Sequence, residues 1–237
     1  MNKKGFFQSV IANVVLIAVF FVVALVGFLP ESSTPIWSTK NIKAYYNGNQ
    51  SKRCVSIMFN VYENTQVVNA IIDVLNERGI KATFFVGGCW ADDNAQTLVR
   101  LVNDGHEIAN HGYFHKDHKK LNYQQNAEEI RLTASIVKAL CGYETKLFAP
   151  PSGSYSQTTL QVADDFGYKT IMWSKDTIDW RDSDQKKLIE RATKNATGGD
   201  LVLMHPKEHT LKALPKILDY YYSIGLNVVT VSENICV

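Results

Sequence analysis

Two histidines four residues apart are the side chains in this sequence best suited to chemistry. They are His111 and His115, in the run His-Gly-Tyr-Phe-His. Side chains at positions i and i+4 lie on one face of a helical turn, so two neutral imidazoles at this spacing can bind one divalent cation. No glutamate follows the first histidine, which excludes the HExxH pattern of zinc proteases. Spacing alone leaves open the alternative of two polar surface histidines.

The composition is that of a globular protein without a strongly charged partner. The chain has 237 residues, of which 46% are hydrophobic and 20% are charged, and its net charge is +2 at pH 7. So small a charge indicates no polyanionic partner, and no run rich in Lys or Arg suggests nucleic-acid binding. The length accommodates one domain and a short additional segment.

The additional segment lies at the N-terminus, where residues 10–29 are almost continuously apolar. About twenty apolar residues span a bilayer, and this stretch lacks the small-residue cleavage site that ends a signal peptide. We therefore predict an uncleaved, single-pass transmembrane anchor at 10–29. Lys3 and Lys4 place the stub 1–9 in the cytoplasm and the remainder of the chain outside. The remainder is predicted to comprise a polar linker at 30–51 and a folded domain at 52–237.

Strands and helices are predicted to alternate along the domain, because short β-branched or apolar runs alternate with stretches that carry an apolar stripe at helical spacing. The predicted strands are 55–59, 81–86, 106–109, 145–148, 169–173, 201–204 and 227–231. The predicted helices are 67–78, 95–103, 122–140, 157–166, 185–194 and 211–222. About seven β-α units imply an α/β fold with a parallel sheet, closed into a barrel or near-barrel. An open doubly wound sheet is the alternative.

Each group of unusual residues follows the end of a predicted strand. The groups are Asn60, the pair His111 and His115, the segment 149–153, the residues Asp176, Asp179 and Trp180, and His205. In a barrel the carboxyl ends of the strands meet at one mouth, where such folds hold their active sites. The sequence therefore predicts one composite site built from several loops.

Four short motifs, in order, resemble those of a known family. They read Lys81-Ala-Thr-Phe-Phe-Val86, Gly105-His-Glu-Ile-Ala-Asn-His111, Asp176-Thr-Ile-Asp-Trp180 and Leu201-Val-Leu-Met-His205. These motifs look like those of the polysaccharide deacetylases, the NodB-homology or carbohydrate esterase family 4 enzymes. The resemblance covers residues 52–237. It implies a distorted (β/α)7 barrel and a hydrolase that removes N-acetyl groups from a cell-wall glycan, such as peptidoglycan.

A fifth motif resembles a particular subgroup of that family. Phe148-Ala-Pro-Pro-Ser-Gly-Ser154 is similar to the variant found in a subgroup from spore-forming bacteria. The resemblance implies a role in sporulation and, with the predicted anchor, a place on the outer side of a bacterial cell membrane. It also implies that Pro150, Ser152 and Trp180 bind substrate, and we expect Trp180 to pack beneath the site.

The resemblance also implies catalytic roles. In the family, two motif histidines and an aspartate hold a metal, a second aspartate is the base, and a later histidine protonates the leaving amine. His111 and His115 are thereby implied as ligands of a divalent metal, in the first instance Zn²⁺. His205 is implied as the general acid, beside Asp179 or alternatively Asp176. A neighbouring carboxylate raises the pKa of an imidazole, which agrees with this role.

The first motif departs from the family pattern. The expected Thr-Phe-Asp-Asp-Gly-Pro reads Met58-Phe59-Asn60-Val61-Tyr62-Glu63. Asn60 thus replaces the base, Val61 replaces a metal ligand, and Ala149 replaces the arginine that pairs with the base. Losing the carboxylate and the arginine together avoids leaving a desolvated charge without a partner. The site is therefore interpreted as remodelled as a unit.

These departures leave a third metal ligand and the reaction itself open. Catalytic zinc usually has three protein ligands, so two histidines make a weak site. Glu63, Asn60 or Asp176 could supply the third. Two functions follow as hypotheses. One is a membrane-anchored deacetylase of a cell-wall glycan, and the other is a catalytically weak or inactive relative that binds glycan or scaffolds a membrane complex.

Overall fold

The computed structural model describes residues 42–236, together with Val14 and Ile17. The predicted anchor at 10–29 otherwise lies outside the described residues, and so does most of the predicted linker. Within the described part, no helix combines the length and the apolar character needed to span a membrane. The boundaries predicted for the stub, anchor, linker and domain stay predictions.

One sheet of parallel strands forms the centre of the described domain. Its strands are β1 (Cys54–Val61), β2 (Thr83–Val86), β3 (Glu107–Asn110), β4 (Leu147–Phe148), β5 (Lys169–Thr170), β6 (Lys175–Asp176), β7 (Leu201–Met204) and β8 (Asn227–Val228). Across the sheet the order is β5-β4-β3-β2-β1-β7-β6, and β8 pairs with β1. Every pair of neighbouring strands is parallel. All carboxyl ends therefore point the same way.

Helices connect these strands. They are α1 (Thr65–Glu77), α2 (Gly88–Asp93), α3 (Ala95–Asn103), α4 (Tyr123–Cys141), α5 (Gln157–Asp165), α6 (Gln185–Thr193), α7 (Glu208–Ser223) and α8 (Val231–Ile235). Single 3₁₀ turns occur at His118–Lys120 and Pro151–Gly153. The predicted alternation of strands and helices is confirmed. The two short helices α2 and α8 and the short strand β6 were not predicted, because they carry too few residues for a periodic pattern.

Alternate residues of β1 belong to two different apolar clusters. Ile57, Phe59 and Val61 pack in the cluster that contains the buried faces of α1 and α7. Met58 packs in the other cluster, with side chains from β2, β3, β4 and β7. Because side chains alternate along a strand, Asn60 lies on the same face as Met58. This alternation directs Asn60 and Val61 to opposite sides of the sheet.

A segment before β1 pairs with residues next to β5 and with residues next to β7. Tyr45 pairs in parallel with Ile171, next to β5, and Asn47 pairs antiparallel with Asp200, next to β7. The backbone N–H of Tyr45 donates to the carbonyl of Thr170 at 2.9 Å, and Gly48 N–H donates to Gly199 at 2.7 Å. Tyr45, Asn47 and Gly48 fall within the predicted linker, and they connect the region of β5 with the start of β7.

Buried His106 makes the stability of the fold depend on pH. Its ring is 2% exposed, and its Nδ1 accepts a hydrogen bond from the Ala82 N–H at 3.3 Å. Burial, with a smaller contribution from the charge of Lys81, lowers the pKa of His106 from 6.5 to about 4. The imidazole is therefore neutral in the native protein at neutral pH.

The free energy of unfolding is expected to fall as the pH drops from 6.5 to about 4, because the unfolded chain binds the His106 proton first. At 1.36 kcal/mol for each pKa unit, the contribution is about 3 kcal/mol. Urea unfolding at several pH values measures it. His106→Asn keeps an acceptor for Ala82 without a titrating group, so its stability should decline less steeply. Equal slopes for the two proteins would contradict the assignment.

Candidate functional site

A cleft of about 280 Å³ opens at the carboxyl ends of the strands. It is lined by Asn60, Tyr62, His111, His115, Ser152, Trp173, Asp176, Trp180, Leu203 and His205. These residues come from the ends of β1, β3, β6 and β7 and from the segments after β4 and β5. The predicted convergence of several loops at one mouth is therefore what the structure shows.

His111 and His115 lie together in this cleft, with ring centroids 5.1 Å apart. They do not lie on a helical turn, as the spacing suggested, but on a loop that follows β3. Gly112 has φ 74° and His115 has φ 55°, both in the left-handed region. A Cβ on Gly112 would approach His118 Nε2 to 3.0 Å. The loop brings the two rings together by turning back on itself.

Both imidazoles are neutral in this environment. His111 is 1% exposed, and its Nδ1 lies 2.8 Å from the carbonyl oxygen of Ala149. The ring therefore donates from Nδ1–H, which leaves Nε2 without a proton. Burial lowers the pKa of His111 well below its ordinary value, and burial also lowers the pKa of His115. Neutral imidazoles are the form that binds metals, and the hydrogen bond to Ala149 leaves Nε2 of His111 available for one.

A buried carboxylate holds the loop between these two histidines. Glu129, on α4, is 1% exposed, and its Oε2 accepts the backbone N–H groups of Tyr113 at 2.9 Å and Phe114 at 2.7 Å. Its Oε1 lies 2.9 Å from Lys116 Nζ. One side chain thus satisfies two donors of the loop and pairs with a cation.

His205 is hydrogen-bonded to Asp179 beneath the cleft. Nδ1 of His205 lies 2.8 Å from Asp179 Oδ1, and the backbone N–H of His205 donates to Oδ2 at 2.7 Å. The Thr210 hydroxyl donates to the same Oδ2 at 2.7 Å. Burial alone would raise the pKa of Asp179, but the hydrogen bonds and charge of His205 lower it overall. The ionised carboxylate orients the ring and leaves Nε2 of His205 as the free ring nitrogen.

Of the other predicted site residues, some line the cleft and one does not. Asp176 lines the cleft, and its Oδ1 accepts the backbone N–H of Ile178 at 2.8 Å. Ser152 also lines the cleft, with φ 55°. Pro150 is buried just before it and is not one of the residues that line the cleft. The carboxylate beside His205 is that of Asp179, not that of Asp176.

Trp180 corrects one expectation. It was expected to pack beneath the site, but it is 54% exposed and lines the cleft wall. The guanidinium of Arg181 lies 5.5 Å from the centroid of its ring. The aspartate that fills the buried position is Asp179, so the following residue points outward. Its exposed face leaves Trp180 free to contact a ligand.

The remodelled first motif divides between the cleft and the core. Asn60 is 2% exposed and lines the cleft, and its Oδ1 has no hydrogen-bond partner within the described chain. Val61 is fully buried among apolar side chains on the opposite face. Glu63 is paired with Lys207. Of the three residues considered as a third metal ligand, Glu63 is therefore already occupied.

The residues present do not fit a three-ligand catalytic metal centre. Among residues 42–236, with Val14 and Ile17, no three His, Cys, Asp or Glu side chains are grouped so that they could hold a metal ion. The neutral pair His111 and His115 has the chemistry of two ligands. Asn60 could add only a neutral oxygen.

Weak zinc binding is nevertheless expected at the histidine pair. Structural zinc sites gain ~10–16 kcal/mol from four ligands, so losing one of two ligands should weaken binding at least about 100-fold. Titration calorimetry with Zn²⁺ on wild type and His111→Ala measures this difference. His106→Asn, which changes a histidine outside the cleft, is the matched control. Unchanged zinc affinity in His111→Ala would show that the pair is not the binding site.

Sequence reasoning missed three residues that shape this site. Tyr62 and Trp173 line the cleft, and Glu129 supports the histidine loop. Tyr62 could have been found, because it lies within the first motif where the family pattern has glycine. Glu129 had no local signal, since it lies on a helix and contacts the loop only in the folded chain.

The fold and the cleft define a class of protein. A parallel α/β fold with paired histidines after β3 and a His-Asp pair at β7 is the arrangement that the resemblance implied. A family model described as polysaccharide deacetylase matches residues 47–171, which is more than half of the chain. The chain therefore belongs to the polysaccharide deacetylase family, a family of hydrolases, as the motifs predicted.

Individual relatives agree with this assignment. The chain is 33% identical over 188 residues to the YlxY protein of Bacillus subtilis, covering 79% of this chain and 59% of that protein. It is 29% identical over 204 residues to a peptidoglycan-N-acetylglucosamine deacetylase of Bacillus cereus, covering 84% of this chain and 74% of the relative. The chain thus spans only about three fifths of the length of YlxY.

A solved structure with a related fold is that of BA3943, a CE4 family pseudoenzyme from Bacillus anthracis. It superposes with a TM-score of 0.80 and 31% sequence identity, covering 82% of this chain and 69% of that chain. A mutant of BA3943 has restored enzymatic activity. The family therefore contains both deacetylases and a pseudoenzyme with a fold close to that of this chain.

Proposed function

We propose that this chain binds an N-acetylated cell-wall glycan of the peptidoglycan kind and hydrolyses its N-acetyl groups slowly. The observation that carries the proposal is the His205–Asp179 pair, whose histidine lines the same cleft as the two neutral histidines. Peptidoglycan deacetylases among the relatives support the substrate class. The domain is assigned the distorted (β/α)7 barrel of the NodB type.

The His-Asp pair supports the second half of such a hydrolysis. When water adds to the acetamide carbonyl, the C–N bond breaks, acetate leaves and the amine nitrogen needs a proton. The imidazolium form of His205 supplies that proton from Nε2–H and regains one from solvent, while Asp179 holds Nδ1–H and fixes the ring towards the cleft. The first half of the reaction lacks a strong base, since Asn60 is a neutral amide. Slow turnover is the expected consequence.

A second candidate is glycan binding without turnover. Two observations favour it: the amide of Asn60 cannot take a proton from water, and Val61 is buried in the core instead of facing the cleft. BA3943, with a similar fold, is a pseudoenzyme. In this case the cleft recognises the glycan, and the protein acts as a glycan-binding or scaffold component.

Acetate release distinguishes the two candidates. The substrates are N-acetylated chitooligomers and peptidoglycan, each with and without added Zn²⁺ or Co²⁺. Slow release by wild type that is lost in His205→Ala supports hydrolysis. Binding of the oligomers without acetate release supports the second candidate. If wild type neither binds the oligomers nor releases acetate, both candidates are refuted.

The location of the protein is also a proposal. We infer that residues 10–29 anchor the chain in a bacterial cell membrane with the domain outside, in a spore-forming organism. The span-length apolar stretch and the preceding lysines support this inference. Fractionation is expected to place the protein in the membrane pellet, from which detergent but not high salt releases it. A mature form that begins near Glu31 and is free in the medium would contradict the anchor.

A further inference from the structure

Tyr62 is an aromatic side chain that the proposed hydrolysis does not use. It stands where the family pattern has glycine, directly after the two altered aspartate positions. The side chain is 43% exposed and lines the cleft. Its ring centroid lies 4.2 Å from that of His115, with the two planes tilted by 37°. One side of the Tyr62 ring is thus covered by His115, and the remainder is open to the cleft.

The loop that carries Tyr62 contacts the segment after β7 and lies next to Gly87. Glu63 pairs with Lys207, and the Asn64 amide donates to the carbonyl of Pro206 at 3.1 Å. These contacts join the loop after β1 to the segment after His205. Behind Tyr62 lies Gly87, where an added Cβ would be 3.4 Å from the Tyr62 Cβ. The backbone that carries the tyrosine is therefore fixed by its neighbours before any ligand arrives, which reduces the entropy lost on binding.

Asn60 supplies a second, independent feature of the same wall. Its Oδ1 is buried and lacks a hydrogen-bond partner within the described chain, although it lies in the cleft. A buried acceptor without a donor costs about 1–3 kcal/mol, so a ligand N–H that reaches it is favoured. The amide group of an acetamido sugar carries such a donor. A carboxylate at this position would act as a base, whereas the amide of Asn60 can only form hydrogen bonds with the ligand.

We propose that Asn60 and Tyr62 form a recognition site for an intact N-acetylated pyranose. The Tyr62 ring packs against a face of the sugar, and Asn60 Oδ1 accepts the hydrogen bond of the acetamido N–H. This inference rests on the proposed function, because it names the residues that select the N-acetylated glycan. The remodelled first motif thereby serves retention of the substrate instead of rapid turnover.

Calorimetry on the full chain tests the proposal with two probes of equal length, an N-acetylglucosamine tetramer and a glucose tetramer. Wild type should bind the acetylated probe more tightly. Tyr62→Ala and Tyr62→Leu should weaken binding of both probes about 10-fold, while Tyr62→Phe keeps the ring and the affinity. Tyr222→Ala, which removes a tyrosine that is 85% exposed on α7 outside the cleft, should change nothing.

Asn60→Ala should weaken binding of the acetylated probe about 5-fold and leave the affinity for the glucose probe unchanged. Thermal unfolding of each variant shows that it is folded, and Tyr62→Leu provides a second test if the alanine variant is not. Wild-type affinity in the folded Tyr62 variants, or an equal loss for both probes in Asn60→Ala, overturns this inference alone. Failure of wild type to bind either probe overturns the proposed function together with it.

Discussion

Asn60→Asp is expected to raise the rate of acetate release by about 10²–10⁴-fold, the usual contribution of a general base. Asn60 lines the cleft with His111 and His115, so a carboxylate there can reach a water that attacks the substrate. The change is nearly isosteric, but Asn60 is buried and the new carboxylate lacks a charged partner, so Asn60→Asp should also lower the free energy of unfolding. Acetate release from chitooligomers measures the rate, and adding His205→Ala to Asn60→Asp should abolish the gain.

The second position of the motif should behave differently. Val61 is fully buried in the apolar cluster between the sheet and the helices. Val61→Asp is expected to lower the free energy of unfolding by about 3–5 kcal/mol, because it introduces an unpaired buried charge. Asn60→Asp with Val61→Asp should therefore be less stable than Asn60→Asp alone.

The rate of acetate release decides the role of Asn60. If wild type already releases acetate fast and Asn60→Asp is slower, another group serves as the base and this account of the cleft is wrong.

Glu129→Ala is expected to lower the free energy of unfolding by about 2–4 kcal/mol, since two backbone donors of the histidine loop lose their acceptor. Tyr113 and Phe114 both donate to Oε2 of this carboxylate, and Lys116 pairs with Oε1. The loop should then hold His115 less firmly, so zinc affinity should also fall by about 10–100-fold. Urea unfolding and zinc calorimetry measure the two effects.

Glu128→Ala is the matched control, because Glu128 is the same residue type one position earlier on α4 and is exposed. Its removal should change stability by less than about 0.5 kcal/mol. Glu129→Gln retains an oxygen acceptor and should be intermediate. Equal stability of the Glu128 and Glu129 variants would mean that the carboxylate does not support the loop.

Local patterns in the sequence determined the order of the elements. The apolar stripe of α1 and the β-branched run of β2 are visible without any tertiary contact, because a helix or strand that packs on one face must repeat at 3.6 or 2 residues. Parallel strands bring their carboxyl ends together, so the gathering of His111, His115 and His205 at one mouth also followed. The motif resemblance then identified the family before the fold was known.

Only the tertiary structure decided where individual side chains at the strand ends point. The sequence placed Asn60 and Val61 equally near the mouth, but the alternation along β1 turns one to the cleft and the other to the core. His111 and His115 have the spacing of a helical turn, but they lie on a loop in which Gly112 and His115 have left-handed backbone conformations. The carboxylate of Glu129, on α4, stabilises this loop. Such contacts join residues far apart in the chain, and no local periodicity records them. Trp180 is exposed for the same reason, since the buried position beside His205 belongs to Asp179.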